Sequence, residues 1–142
     1  MTDIAFHVNV ADVPAYACRL LRKAHAKGAR VHVTGAPAQI EAVDRGLWLI
    51  AQGEFIPHAG AAATERVRRH SSIVLGGAPP EGSTVLVNLG AEVPSELGRY
   101  ARVIEVVGND EQSRAQARQR WRAYRSGGIE PVMVDQASAR GA

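Results

Sequence analysis

One cysteine, Cys18, and two lysines, Lys23 and Lys27, are all that the chain of 142 residues holds of either type. A single thiol forms no internal disulfide and no metal-ligand spacing surrounds it, so Cys18 in the apolar stretch YACRLL reads as a small core residue. Aromatic residues make up only 5% of the sequence. No apolar run approaches the ~20 residues needed to cross a bilayer, and the opening MTDIAFHVN carries acid too early for a secretory signal. A cytoplasmic location is expected.

Catalytic signatures are missing as well. TGAPAQ, after a strand-like run, lacks both GxGxxG and GxxxxGK[ST], and the two prolines of GGAPPEG remove backbone donors that a phosphate nest uses. His7, His25, His32, His58 and His70 show no HExxH or Hx3H spacing, and no G-x-S-x-G elbow exists. The adjacent carboxylates Asp110 and Glu111 open a helix, where the macrodipole accounts for them. These absences point away from an enzyme and from a bound cofactor or metal.

What is present is the composition of an ordinary globular protein, 46% hydrophobic and 22% charged, with a formal charge of +3 and a pI near 9.5. The length suits one domain, expected over residues 1–136 with a flexible tail at 137–142. Ile4 to Val10 is a β-branched, strand-like run; Val13 to Lys27 follows with Pro14 in a first helical turn and Gly28 as its close. RVHVT (Arg30 to Thr34) completes a β-α-β unit, which implies parallel strands joined by a right-handed crossover. Pro37 to Asp44 predicts a second helix broken near Gly46. STVLVNL (Ser83 to Leu89), after the turn-rich GGAPPEG, and YARVIEVV (Tyr100 to Val107) predict strands, the first covered on both faces through its continuously apolar Val85, Leu86 and Val87. Asp110 to Ser126 predicts a final helix with Asn109 or Asp110 as N-cap and Gly127-Gly128 as its end, and EPVMVD a short edge strand. The fold class is α/β, a single domain with a central, largely parallel sheet flanked by helices.

Two constellations stand out. Between Glu111 and Glu130 lie five arginines, one tryptophan and one tyrosine, with no acid among them. Arg114, Arg118, Trp121, Arg122 and Arg125 recur at i, i+4, i+7, i+8 and i+11, one stripe of a helix, with Ala117, Arg120 and Tyr124 beside it. Arginines four apart repel by a few tenths of a kcal/mol per pair, a mild penalty unless the stripe meets an anion. Arginine and aromatic together suit a carboxylate joined to an apolar ring; they equally suit single-stranded nucleic acid through phosphate contacts and base stacking. The second constellation, GLWLIAQGEFIPH (Gly46 to His58), gathers Leu47, Trp48, Leu49, Phe55 and Ile56 around a glycine-bearing turn that His58 could orient. Trp48 and Phe55 there are candidates to anchor a partner.

LW followed by FIPH, then VLVNL, RVIEVV and RQRWRAYRSGG, with FHV and KGARVHV earlier, resembles the chi subunit of bacterial DNA polymerase III over essentially the whole chain. The resemblance implies a non-catalytic clamp-loader accessory, nucleotide-binding-like in fold but without a nucleotide site. It further implies binding of the acidic C-terminal tail of single-stranded DNA-binding protein (SSB), and so a role in DNA replication and repair. Carried onto this sequence, the tail site falls at Arg114, Arg118, Trp121, Arg122 and Val107. Arg118 would receive the terminal carboxylate, Trp121 and Val107 the terminal phenylalanine, and Arg114 and Arg122 the upstream aspartates. Trp48 and Phe55 would form a second surface for the psi subunit or an XPD/DinG-like helicase. DNA would be met indirectly, through SSB, rather than as the direct ligand of the alternative reading. The segment AGAAATERVRRHSSIVL departs from the family in lacking a proline before the third strand.

Overall fold

The computed structural model describes residues 2–50 and 56–137, and in it the β-branched runs join into one all-parallel sheet. The strands are β1 (Asp3–Val10), β2 (Val31–Thr34), β3 (His58–Ala59), β4 (Ile73–Leu75), β5 (Val85–Asn88), β6 (Arg102–Gly108) and β7 (Val132–Asp135), in the order β3-β4-β2-β5-β6-β1-β7. The helices are α1 (Val13–Ala26), α2 (Pro37–Ile50), α3 (Glu65–His70) and α4 (Glu111–Ser126), with a 3-10 turn at Leu97–Arg99.

Chain direction explains the layering. From β1 the chain moves across the sheet to β2 and on to β3, then reverses through β4, β5 and β6 to end at β7. Right-handed crossovers running in opposite directions place their helices on opposite faces. Accordingly α1 and α2 cover one face, packing Leu21, Val43 and Leu47 against Val31, Val33, Val87, Ile104 and Val106. On the other face α4 sets Ala117 and Tyr124 against Ile4, Phe6, Val103 and Val107. The alternation of β6 between layers is what a strand buried on both sides requires.

Helix ends follow their residues. The Asp12 carboxylate caps α1 by accepting from Ala15 N (3.1 Å), and Asp110 caps α4 by accepting from Ser113 N (3.0 Å). Gly128, at φ +86°, ends α4 in a left-handed residue, so that Ile129 N donates back to Tyr124 O (3.0 Å) and Ile129 packs beneath the helix.

One expectation is corrected. Gly46 does not break α2, which runs unbroken to Ile50. A Cβ at Gly46 would lie 2.6 Å from Cys18 Sγ, so the glycine lets α2 approach α1 closely. The segment after His58, where the sequence shows no clear period, holds β3, α3 and β4. Thr64 caps α3, and the buried Arg68 guanidinium donates to Gly60 O (2.7 Å), Gly76 O (2.9 Å) and Ala78 O (2.7 Å). One cation thereby satisfies carbonyls of two connections that no longer helix covers.

Candidate functional site

Helix α4 docks through a narrow stripe. Ala117, Arg120 and Tyr124 are buried beneath it; Arg114, Arg118 and Arg122 are exposed, and Trp121 is half-buried at the boundary. The buried side is polar at its centre. Glu105 of β6 is fully buried and accepts from Asn88 Nδ2 (2.8 Å), Arg120 Nε (3.1 Å) and the Tyr124 hydroxyl (2.5 Å). Arg120 also donates to Ala91 O (3.0 Å) and stands over the Phe6 ring, 5.9 Å from its centroid. Burial pushes the Glu105 carboxyl above its ordinary pKa, and the Arg120 charge pulls it back down. Burial, then the Glu105 charge, raises the Tyr124 phenol, which therefore keeps the proton it donates.

The sequence shows no acid between Glu111 and Glu130, yet the fold gives most of these arginines partners. Arg120 pairs with Glu105, Arg118 reaches Glu111 Oε1 (3.1 Å), and Arg125 Nε lies 3.6 Å from Glu130 Oε1. Arg114 donates to Asn9 Oδ1 (3.2 Å), a neutral acceptor. Arg120 and Tyr124, placed beside the stripe by sequence, are buried and do not line the neighbouring cleft.

Between α4 and the β1/β7 edge lies an open cleft of about 550 Å³. Arg114, Arg118, Trp121, Arg122 and Val107, the residues indicated by sequence, all line it. Phe6, Val8 and Ala117 add apolar floor, and Met133 with Asp135 forms the far wall. Phe6 meets Trp121 at 5.1 Å between ring centroids, tilted by 60°, which fixes the indole's inner edge and leaves the outer part facing the cleft. Sequence reasoning missed Phe6, Val8, Asn9, Met133 and Asp135. The parallel register pairs Phe6 with Met133 and Val8 with Asp135, bringing alternate residues of β1 and β7 to the α4 side. Their alternation in FHV and VMVD was the available signal, once β7 was set beside β1. Chemically, the cleft offers an apolar floor bordered by three guanidinium groups.

The second constellation separates. Leu47 and Ile56 are core, while Trp48 and Leu49 are 59% and 70% exposed. His58 supports the indole: its ring lies 4.8 Å from Trp48's, its Nδ1 is 2.8 Å from Ile56 O, and its Nε2 lies 3.0 Å from Asp44 Oδ1. Phe55 lies outside the described residues, as does the expected tail beyond Ala137. Among the described residues no helix is long and apolar enough to cross a membrane.

Comparison with known proteins agrees with the sequence resemblance. The chain is 33% identical over 133 residues to DNA polymerase III subunit chi of Pseudomonas aeruginosa, an alignment covering 90% of this chain and 92% of that protein. The sequence model of the family described as DNA polymerase III chi subunit, HolC, matches residues 1–132. On these two matches, the chain belongs to the DNA polymerase III chi subunit family.

Proposed function

We propose that this protein is a non-catalytic accessory of the DNA polymerase III clamp-loader complex that captures the acidic C-terminal tail of SSB in the α4 cleft. The observation that carries the reading is the meeting of Arg114, Arg118 and Arg122 with Trp121 and Val107 around one apolar slot. A tail of aspartates ending in phenylalanine needs both halves. The ring leaves water against Trp121 and Val107, and Arg118 receives the free carboxylate through charge-assisted hydrogen bonds. Arg114 and Arg122 meet the upstream aspartates. A short, disordered ligand loses entropy on binding, so affinity on the order of micromolar is expected, weakening with salt. Trp48, with Leu49 beside it and Phe55 in the same segment, serves a second partner, the psi subunit or an XPD/DinG-like helicase. The unbroken separation of the two sites favours an adaptor that holds both partners at once.

Direct binding of single-stranded DNA is the competing reading. A sequence-tolerant strand groove stacks successive bases on several aromatic side chains, whereas this cleft offers a single indole already braced by Phe6. The deciding experiment is an anisotropy titration with a labelled peptide of several aspartates, proline and a C-terminal phenylalanine, run against the same peptide amidated and an unlabelled oligonucleotide. Saturable binding that amidation weakens and the oligonucleotide leaves alone is expected. Arg118→Glu should lower peptide affinity at least tenfold with its circular dichroism unchanged. Tight oligonucleotide binding without peptide binding would overturn the reading.

A further inference from the structure

The strand that floors the cleft carries a backbone irregularity aimed at it. Residues alternate along β1: Ile4, Phe6 and Val8 pack in the α4 layer. Strict alternation would put Asn9 on the α1 side and Val10 beneath α4. The opposite is seen: Val10 belongs to the α1 layer, and Asn9 lines the cleft. A shift in the β1–β6 register between His7 and Val10 produces the exchange, and at its centre Asn9 has φ +59°. Asparagine tolerates the left-handed region better than most residues but still less well than glycine. Bulges of this kind re-aim side chains at working sites, and a strained residue is informative about the place that keeps it.

The side chain so aimed joins three elements. Asn9 Oδ1 accepts from Arg114 of α4 (3.2 Å), and Asn9 Nδ2 donates to Asp135 Oδ1 of β7 (2.9 Å). Asp135 is itself fixed by Ala137 N, which donates to the same oxygen (2.9 Å). An ionised carboxylate only accepts, so Asp135 obliges the asparagine to turn its NH2 that way and its carbonyl toward α4. Arg114 thus meets an acceptor rather than a competing donor. Because that acceptor is neutral, it directs the guanidinium without adding to the negative charge that the Asp110 carboxylate, four residues earlier on α4, already sets near Arg114. Arg118, by contrast, is held by Glu111, whose charge a ligand carboxylate must displace.

We propose that Asn9 is a positioning residue of the cleft: the β1 bulge and Asp135 orient its amide so that Arg114 is held, still charged, toward the carboxylates of an acidic peptide. The proposal rests on the peptide-binding reading and names the device by which one of its arginines is prepared.

Asn9→Gly is the informative variant, since glycine adopts φ +59° without strain and so threatens the fold least. Peptide affinity of the wild type, Asn9→Gly, Arg114→Ala and the double variant would be measured by the same titration, alongside thermal melts. Asn9→Gly should melt at or above the wild-type temperature yet bind the peptide about three- to tenfold more weakly. Arg114→Ala should weaken the wild type severalfold but change the Asn9→Gly protein by less than twofold, because the arginine there is no longer directed. If Asn9→Gly binds within twofold of wild type, or if the two substitutions act independently, Asn9 has no positioning role, although peptide capture by the cleft stands. If the wild type itself fails to bind, the peptide reading fails and this inference with it.

Discussion

Arg118 meets an acid of its own helix before it meets any ligand. Its guanidinium lies 3.1 Å from Glu111 Oε1, with the two side chains 55% and 78% exposed. A pair so open to water is worth about 0–1 kcal/mol, too little to block a carboxylate but enough to tax it. Replacing Glu111 by glutamine should therefore raise affinity for the acidic peptide about two- to fivefold at low salt. The gain should vanish near 1 M salt, where screening acts within ~3 Å. An unchanged or lower affinity at low salt would show that Arg118 is not the group receiving the tail. At this scale the arginine–tryptophan stripe was legible from spacing alone, because exposed helical residues keep their period. Asn9 was not, since a left-handed residue in a bulge leaves no mark on hydropathy. The partner of Arg120 was half-legible: Glu105, alone in the apolar run RVIEVV, is an acid that a doubly covered strand cannot leave unmatched.

That buried pair decides how α4 sits on the sheet. Glu105 accepts from Asn88, Arg120 and Tyr124, joining β5, β6 and α4 at one carboxylate. Removing one member of a buried pair is destabilising by about 3–5 kcal/mol when the other stays charged. Arg120→Met should approach that loss at neutral pH but not at low pH, for a reason of sign. Burial raises the Glu105 pKa above 4.5, so its effect favours the folded state below that value and is lost as pH rises through the folded value. Without Arg120 to pull it down, that folded value climbs further. The deficit of Arg120→Met should then widen from pH 5 to pH 7.5 in urea titrations; a constant deficit would mean that packing, not charge, explains the contact. Elements themselves were read unevenly. Long runs such as β1 and β6 announce themselves, but the two residues of β3 and three of β4 are too few to show a period. The misreading of α2 has another cause: Gly46 looks like a stop in sequence because the demand for it comes from Cys18 on another helix.

The two ends of the sheet differ in what they expose. At one edge β7 and α4 enclose the cleft, and Val132 and Met133 remain 58% and 61% exposed; at the other, Trp48 rests on His58 of β3. Fold class and the parallel crossovers followed from sequence. The reversal of chain direction, which sends α2 and α4 to opposite faces, emerges only once β3 and β4 are placed. That reversal has a geometric consequence for the proposed partner surfaces. The cleft spans β6, β1 and β7, four to six strand spacings of ~4.8 Å from β3, which puts the two surfaces about 19–29 Å apart across the sheet, in addition to lying against opposite layers. Such a span exceeds the ~8 Å screening length at physiological ionic strength, so neither charge nor contact links the sites directly. Trp48→Ala, which removes an exposed ring and leaves Leu47 in the core, should bind the acidic peptide within twofold of wild type while remaining folded. A loss beyond about fivefold in the folded variant would mean that the sheet transmits between its edges, and two independent partner surfaces would have to give way to one coupled switch.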